Sequence, residues 1–424
     1  MNMLLLFSIM IICISLSVPI GASLGLAALV TLWLTGSVPT VMLNQNAFAG
    51  LDSFPLMAIP FFMLAGNLMA AGGIARRIVN VCDFLVGKVA GGVGMATVAG
   101  CMFFSSMSGS GVATVSAMGS IMLPEMEKRG YDKDFAAALA ASSGTVGVII
   151  PPSIPFVIYG VVASVSIGEL FIAGIIPGIL IGLTLMAVCY VISKKRGYKG
   201  TTTVGLRFWP VFIDAIWAVI APIIILGGIY GGVFTPTEAA VVAIVYSFLV
   251  GAFVYKELDR KSFLKAVRST ADLNGLTGFA IGFSMPFASY LAMEQVPSKV
   301  TALMLSYVSN DVVLMCLILL IMLILGLFID NISLCLILTP VFLPIIKSMG
   351  MNPVHFGIAM TTALAIGFVT PPYGACLFVA TAISGVSIDR IAWAAIPFVF
   401  AMIGCLLLIT FIPVLSMGLV GFMK

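Results

Sequence analysis

Charge is what this chain has least of. Only 8% of its 424 residues are Asp, Glu, Lys or Arg, against 61% hydrophobic, and the mean hydropathy is +1.22. That balance excludes an ordinary soluble globular protein. There is a single histidine, His355, which argues against haem, di-iron or zinc chemistry. The eight cysteines lie mostly inside apolar segments, with no CxxC pair and no metal-ligand spacing, so they read as buried thiols. The net charge of +4 is scattered over short loops and makes no nucleic-acid-binding patch. No pair of polar residues suggests a nucleophile with its base, and no cofactor motif is present, so an enzyme is not expected.

What remains is a series of apolar runs of roughly 20 residues, the length that crosses a bilayer core. In lipid such runs must be helical, because every backbone donor and acceptor needs an internal partner. The fold class is therefore an all-α polytopic membrane protein. The first run, about residues 3–34, lacks a basic start and is too long for a signal peptide, so it reads as a retained membrane segment. Basic clusters set the orientation: Arg76-Arg77 with Lys88, Lys128-Arg129 with Lys133, Lys194-Lys195-Arg196 with Lys199, and Lys256 to Arg268 are expected in the cytoplasm.

Between these clusters the segments cross in pairs, 135–163 with 169–192 and 209–230 with 236–255. The stretch from about 89 to 124 starts and ends on the cytoplasmic side around a Gly/Ser-rich centre, which suits a re-entrant hairpin. Past Arg268 the pattern inverts. Residues 272–293 exit, about 311–344 form a second hairpin, 354–382 return and 391–418 exit. The expected plan is nine spans and two hairpins. It comprises a first repeat (1–208), a connecting membrane segment (209–235) and a second, inverted repeat (236–424). Residues 257–270 set Leu258, Phe263, Leu264 and Val267 among charges, and read either as a surface amphipathic helix or as a solvated loop.

The strongest sign of repetition is a double proline inside two apolar runs, Thr145-Val-Gly-Val-Ile-Ile-Pro-Pro-Ser153 and Ala365-Ile-Gly-Phe-Val-Thr-Pro-Pro-Tyr373. A shift of 220 positions also lays Leu123-Pro124 on Leu343-Pro344, Gly130 on Gly350 and Gly147 on Gly367. Further on, Val165-Ser-Ile167 matches Val386-Ser-Ile388 with a slip of one residue. Proline removes a donor and disfavours helix in the residue before it. Two in succession free carbonyls for a small cation and leave half-helix N-termini for an anion. Matching broken helices in two inverted repeats point to a secondary transporter with a midplane site.

The first hairpin centres on Ser105-Ser-Met-Ser-Gly-Ser-Gly111, and the second on Gly326-Leu-Phe-Ile-Asp-Asn-Ile-Ser333. Asp330 is a carboxylate deep in an apolar stretch, which is costly unless it faces a cavity, a cation or a partner; with the 220 offset it falls on Ser110. Two cation sites are expected, each between a hairpin and its broken helix. One uses Ser106, Ser108, Gly147 and Ile150, and the other Gly326, Phe328, Gly367, Thr370 and Tyr373. Organic substrate is expected between the tips, near Ser105, Ser108, Ser110, Ser153, Asp330 and Asn331. Hydroxyl and carbonyl ligands lean towards Na+ as the coupling ion.

Several segments resemble one family, the large membrane (M) subunit of tripartite ATP-independent periplasmic (TRAP) transporters. They are Gly227-Gly-Ile-Tyr-Gly-Gly-Val-Phe-Thr-Pro-Thr-Glu-Ala-Ala240, Asp52-Ser-Phe-Pro-Leu-Met-Ala-Ile-Pro-Phe61, Ser105-Ser-Met-Ser-Gly-Ser110, Leu170-Phe-Ile-Ala-Gly-Ile-Ile-Pro-Gly178 and the two Pro-Pro segments. The resemblance covers essentially the whole chain, and the Asp52-Ser-Phe-Pro segment is most similar to the sialic-acid branch. It implies Na+-coupled uptake of an organic acid across the bacterial inner membrane by an elevator motion. The hairpins and broken helices would form the mobile part. It also implies two partners, a small four-helix membrane (Q) subunit and a periplasmic substrate-binding (P) protein. The chain ends at Lys424 without such a small subunit and so resembles the unfused form. An acidic Asp330 is compatible with an anionic substrate that also offers hydroxyls or amides.

The alternatives are a single-component Na+/dicarboxylate symporter, which would work without a binding protein, and, more remotely, an ion channel. A channel needs a continuous polar pore, whereas the polar residues here gather at one depth. On this reading Asp330→Ala abolishes transport while expression is unchanged; normal uptake by that variant would remove Asp330 from the site.

Overall fold

Chain continuity in hydrocarbon demands helices, and the computed structural model is built of helices and short turns. It describes residues 2–16, 18–35, 41–200, 208–307 and 310–422, and among these there is no strand. In chain order the helices are α1 (Asn2–Ser15), α2 (Ile20–Thr35), α3 (Val41–Leu51), α4 (Ala58–Ala71), α5 (Ile74–Val86), α6 (Gly92–Ser108), α7 (Gly111–Lys128), α8 (Lys133–Gly144), α9 (Ile154–Ala163) and α10 (Ile167–Arg196). There follow α11 (Phe208–Tyr230), α12 (Pro236–Leu249), α13 (Arg260–Met293), α14 (Val296–Tyr307), α15 (Asp311–Gly326), α16 (Asn331–Ser348), α17 (Pro353–Gly367), α18 (Ala375–Ser384), α19 (Ile388–Phe411) and α20 (Val414–Phe422).

Seven helical segments among the described residues are long and apolar enough to cross a membrane. One of them, Asn331–Ser348, is a hairpin arm, while the two Pro-Pro segments are split into shorter helices, so length alone does not count the crossings. The apolar run 3–34, read as one membrane segment, is instead two helices packed on each other. Pro19 interrupts it, and the Ser23 hydroxyl reaches back to the carbonyls of Val18 and Pro19, both at 3.2 Å.

The inverted repeats are explicit in the helix register. Helices α7 and α16 begin at residues 111 and 331, and α8 and α17 at 133 and 353, a spacing of 220 in each case. After the breaks the spacing becomes 221, with α9 and α18 at 154 and 375, and α10 and α19 at 167 and 388. The structure locates the extra residue. Ser153 alone separates Pro152 from α9, whereas Tyr373 and Gly374 separate Pro372 from α18. Both Pro-Pro bonds are cis. The repeats interlock: α7 lies on α18 of the other repeat, and α16 lies on α9.

A second group of helices surrounds this assembly. Helix α13 packs on α2, α3 and α4, α12 packs on α4, and α11 on α5. The charged stretch up to Thr270 and the apolar stretch after it belong to one unbroken helix, α13, whose start is capped by Asp259 Oδ1 accepting from Ser262 N at 2.8 Å. Its charged end is not simply solvated: Ala266 is buried with Leu68 and Leu258, and Phe263 packs against them. The Thr235-Pro-Thr-Glu238 segment is a helix start, with Pro236 in the first turn and a reciprocal capping box between Thr235 and Glu238. Thr237 Oγ1 then donates to Phe54 O at 3.2 Å and ties this segment to the Asp52–Phe61 stretch.

Ion pairs gather several basic clusters at one end of the bundle. Arg129 meets Asp83 and Glu125, Arg196 meets Asp132 at 2.7 Å, and Arg390 meets Asp134 at 2.8 Å across the repeats. The Tyr198 hydroxyl, with Arg196, holds the Asp132 carboxyl below its usual range. Elsewhere the surface is apolar, with Trp33, Phe48, Trp209, Trp393 and Phe400 exposed, which suits contact with lipid.

Close helix crossings depend on absent side chains. A Cβ on Gly21 of α2 would lie 2.8 Å from a Phe279 ring carbon and 2.9 Å from Ala280 Cα of α13. The second of these is backbone and cannot swing away. Gly21→Ala is expected to cost about 1–3 kcal/mol of stability, seen as a lower melting temperature in detergent. Gly275→Ala on α13, where nothing lies within 4 Å, serves as the comparison. Equal melting temperatures would refute the tight α2–α13 crossing.

Candidate functional site

Each hairpin tip is tied to the break in its own repeat. In the first, α6 ends at Ser108, Gly109 turns with φ of 64°, and Ser110 caps α7 by accepting from Ala113 N. Gly109 O accepts from Ile154 N at 3.1 Å, which joins the tip to the start of α9. Ser108 and Thr114 share a hydroxyl contact of 3.1 Å, and Thr114 Oγ1 also donates to Ser110 O at 2.8 Å. Gly147 closes this cluster: a Cβ there would lie 2.7 Å from Thr114 Oγ1 and 2.8 Å from Ser110 O.

The other predicted hydroxyls of this half are already committed. Ser105 donates to Cys101 O, Ser106 to Phe103 O at 2.6 Å, and Ser153 to Val148 O at 2.6 Å. Ser105, Ser108 and Ser153 are fully buried, and Ile150 is buried next to the break. Gly147, Ser108 and the Ser110 carbonyl are thus brought together, while Ser105 and Ser106 turn back to their own helix.

In the second half Tyr373 N donates to Leu327 O at 2.8 Å, again joining break to tip. Here the crossing is glycine on glycine, since a Cβ on Gly367 would lie 2.9 Å from Gly326 Cα. Thr370 Oγ1 donates to Ile366 O at 2.8 Å, and the Phe328 side chain is exposed. Asp330 caps α16, its Oδ2 accepting from Ser333 N at 3.0 Å. Asn331 is buried, and neither its amide nitrogen nor its oxygen has a partner in the protein.

Between the two tips lies a cavity of about 300 Å³. The first turns of α7, α9, α16 and α18 all reach it, with Ser110, Ile154, Asp330 and Ala375 in its wall. Helices α2 and α13 close the opposite side. The starts of four helices at its wall each contribute a partial positive charge, and no cationic side chain lines it. Asp330 is the one charged residue in the lining. Of the residues predicted to hold substrate, Ser110 and Asp330 line the cavity; Ser105, Ser108, Ser153 and Asn331 stand behind the wall.

The sequence reading missed several polar groups. Ser333 lines the cavity, fully buried, with its hydroxyl unpartnered. The Asp330-x-x-Ser333 spacing of a helix cap could have flagged it. Thr277 reaches the cavity from α13, and nothing in the local pattern marks it. Ser142 and Thr362, a further pair at the 220 spacing, are both buried with unpartnered hydroxyls on α8 and α17. His355 is occupied away from the cavity, with Nδ1 2.6 Å from Ser416 Oγ and Nε2 3.0 Å from Thr410 O. Among the described residues no group of His, Cys, Asp and Glu could hold a metal ion. The oxygen atoms are neutral at both glycine crossings, hydroxyls and a carbonyl at Gly147 and carbonyls alone at Gly326–Gly367, and neutral oxygen donors fit an alkali cation.

A family model described as "Tripartite ATP-independent periplasmic transporter, DctM component" matches residues 7–415. The chain is 44% identical to the isethionate TRAP transporter permease protein DctMQ of Oleidesulfovibrio alaskensis, over 98% of this chain; it spans 66% of that relative's length. It is 37% identical to the C4-dicarboxylate TRAP transporter large permease protein DctM of Pseudomonas aeruginosa, covering 94% of this chain and 93% of that one. Identity to the sialic acid TRAP transporter large permease protein SiaM of Vibrio cholerae is 36%, covering 93% of each. Among solved structures, the Alcanivorax borkumensis YdaH transporter shares the fold at a TM-score of 0.59 and 15% identity, with 87% of this chain and 86% of that one covered.

The glycine crossings make a local prediction. Gly367→Ala should push the second tip off its break and expose the Tyr373 amide. Hydrogen exchange at that amide should speed up by at least about tenfold. Gly404→Ala, with nothing within 4 Å, should leave it unchanged. Undiminished protection in Gly367→Ala would mean that the crossing does not hold tip and break together.

Proposed function

We propose that this chain, which belongs to the DctM component family of tripartite ATP-independent periplasmic transporters, imports an organic acid together with Na+. It is the large permease subunit of such a system and a multi-pass protein of the bacterial inner membrane. Its relatives are transport permeases by name, not enzymes. The observation that carries the substrate reading is the cavity between the tips, which the starts of four helices border and no basic side chain lines. An organic anion would be held there by backbone dipoles and N–H groups.

The relatives are named for isethionate, C4-dicarboxylates and sialic acid, which supports an organic acid, with sialic acid one candidate among several. Na+ coupling draws support from the hydroxyl and carbonyl oxygens gathered at Gly147 and from the backbone carbonyls at the Gly326–Gly367 crossing. An elevator motion fits the interlocked hairpins and broken helices moving as one body against α2, α3, α11, α12 and α13. A small four-helix membrane subunit and a periplasmic binding protein would complete the system.

Uptake of labelled organic acids into proteoliposomes containing this chain and its small membrane partner tests the whole reading. Sialic acid, isethionate and a C4-dicarboxylate should be compared. Uptake is expected to need both an inward Na+ gradient and the binding protein. Uptake that needs the Na+ gradient but no binding protein would instead make the chain a single-component symporter, and uptake indifferent to Na+ would remove the coupling ion.

A further inference from the structure

We infer that the face of α13 that walls the cavity continues towards the cytoplasm as an anion path, along which Lys261, Lys265 and Arg268 steer an organic anion between cavity and cytoplasm. This rests on the organic-acid reading above and extends it from the site to the route.

Steps of three and four residues mark one face of a helix. On α13 such a row runs Lys261, Lys265, Arg268, Asp272, Leu276 and Phe279, and every one of these residues is exposed. Leu276 and Phe279 line the cavity. Continued beyond it, the same row meets Phe283, which is half-buried, then Pro286 and Tyr290, which are buried. The face beside the cavity is therefore open towards the end of α13 that the basic clusters place in the cytoplasm, and covered towards the other end. The opposite face of the charged stretch is held against α4. Ala266 is buried there with Leu68, and Asn67 Nδ2 donates to Thr270 Oγ1 at 2.8 Å, which fixes the direction of the row.

The row carries three cations against one carboxylate, Asp272. Among the described residues none of the three is in an ion pair, whereas each of the other basic clusters contains a paired residue. A cation inside the cavity would hold an anion fast. Cations spaced along an exposed face outside it act through their field alone, which eases passage without deepening the site. Arg268 lies eight residues from Leu276, about 12 Å along the helix. That is close to the Debye length of about 8–10 Å at ordinary salt, so the field reaches the cavity and salt weakens it.

Charged thiol reagents read the potential at the cavity whatever the cargo is. Leu276→Cys is placed in a Cys13→Ser, Cys316→Ser background, since the other six cysteines are buried. The protein, purified with its membrane partner in neutral detergent, is modified with anionic 2-sulfonatoethyl methanethiosulfonate and with cationic 2-(trimethylammonium)ethyl methanethiosulfonate. Each rate is divided by that of the same reagent with a simple thiol. At low salt the anion is expected to be favoured on the order of tenfold. The preference should fade as salt is raised to about 1 M, and should vanish when Lys261→Gln, Lys265→Gln and Arg268→Gln are combined. Equal rates for the two reagents, or a preference that survives the triple substitution, overturns the inference. Anionic phospholipid that stays with the parent through purification and leaves the triple variant also overturns it, since the row would then hold headgroups. Uptake in the proteoliposomes is scored separately: no uptake of any organic acid, with the preference intact, overturns the carrier reading and its organic cargo but not the path for anions.

Discussion

A helix interrupted in the middle of a bilayer leaves N–H and C=O groups that water cannot reach, and the rest of this structure depends on how those groups are paired. Each break is closed by the hairpin of its own repeat, through Ile154 N to Gly109 O in the first and Tyr373 N to Leu327 O in the second. Those bonds require the hairpin tip to come within hydrogen-bond reach of another backbone, and glycine is what permits it. Gly147 admits Thr114 and the Ser110 carbonyl, and Gly367 admits Gly326. The same close approach that pairs the backbone also brings the Thr114 hydroxyl and the Ser110 carbonyl together at the first crossing, and sets the Gly326 carbonyl against Gly367 at the second. Structure and candidate chemistry therefore share one cause.

The interlock of the repeats follows from the same arrangement. Because α7 lies on α18 and α16 on α9, each hairpin packs against the other half's second helix. The four helix starts that result are held in fixed relation around the cavity. Opposite them, α2 and α13 meet through Gly21 and supply a wall that is apolar but for Thr277. The cavity is thus bordered by both groups of helices at once.

Much of this was legible in the sequence, for a physical reason: Pro-Pro in an apolar run, a carboxylate in hydrocarbon and a constant 220-residue spacing are all costly or improbable unless they serve a purpose. The hairpins, the breaks and the approach of Gly147 and Gly367 to their tips all lie where those signals point. What the sequence concealed was side-chain direction. A buried serine in a helix can turn its hydroxyl back to a carbonyl four residues earlier, as Ser105 does, and no pattern distinguishes that from a hydroxyl facing a ligand. Thr277 was hidden for a related reason: its role comes from where α13 packs and not from its neighbours in the chain. The division of the first apolar run at Pro19 was overlooked because hydropathy averages across a single proline.

Gly374 carries a consequence for the energetics of the whole molecule. Two identical inverted halves would make the protein look the same from either face of the membrane, and any pair of end states reached by exchanging their shapes would be degenerate. With the residue inserted at 374, α18 has no side-chain cap and bonds Cys376 N to Phe368 O instead, where Ser153 caps α9, so the halves are no longer equivalent. The inserted residue adds a difference of backbone to the differences of side chain that lift that degeneracy before any gradient or ligand acts.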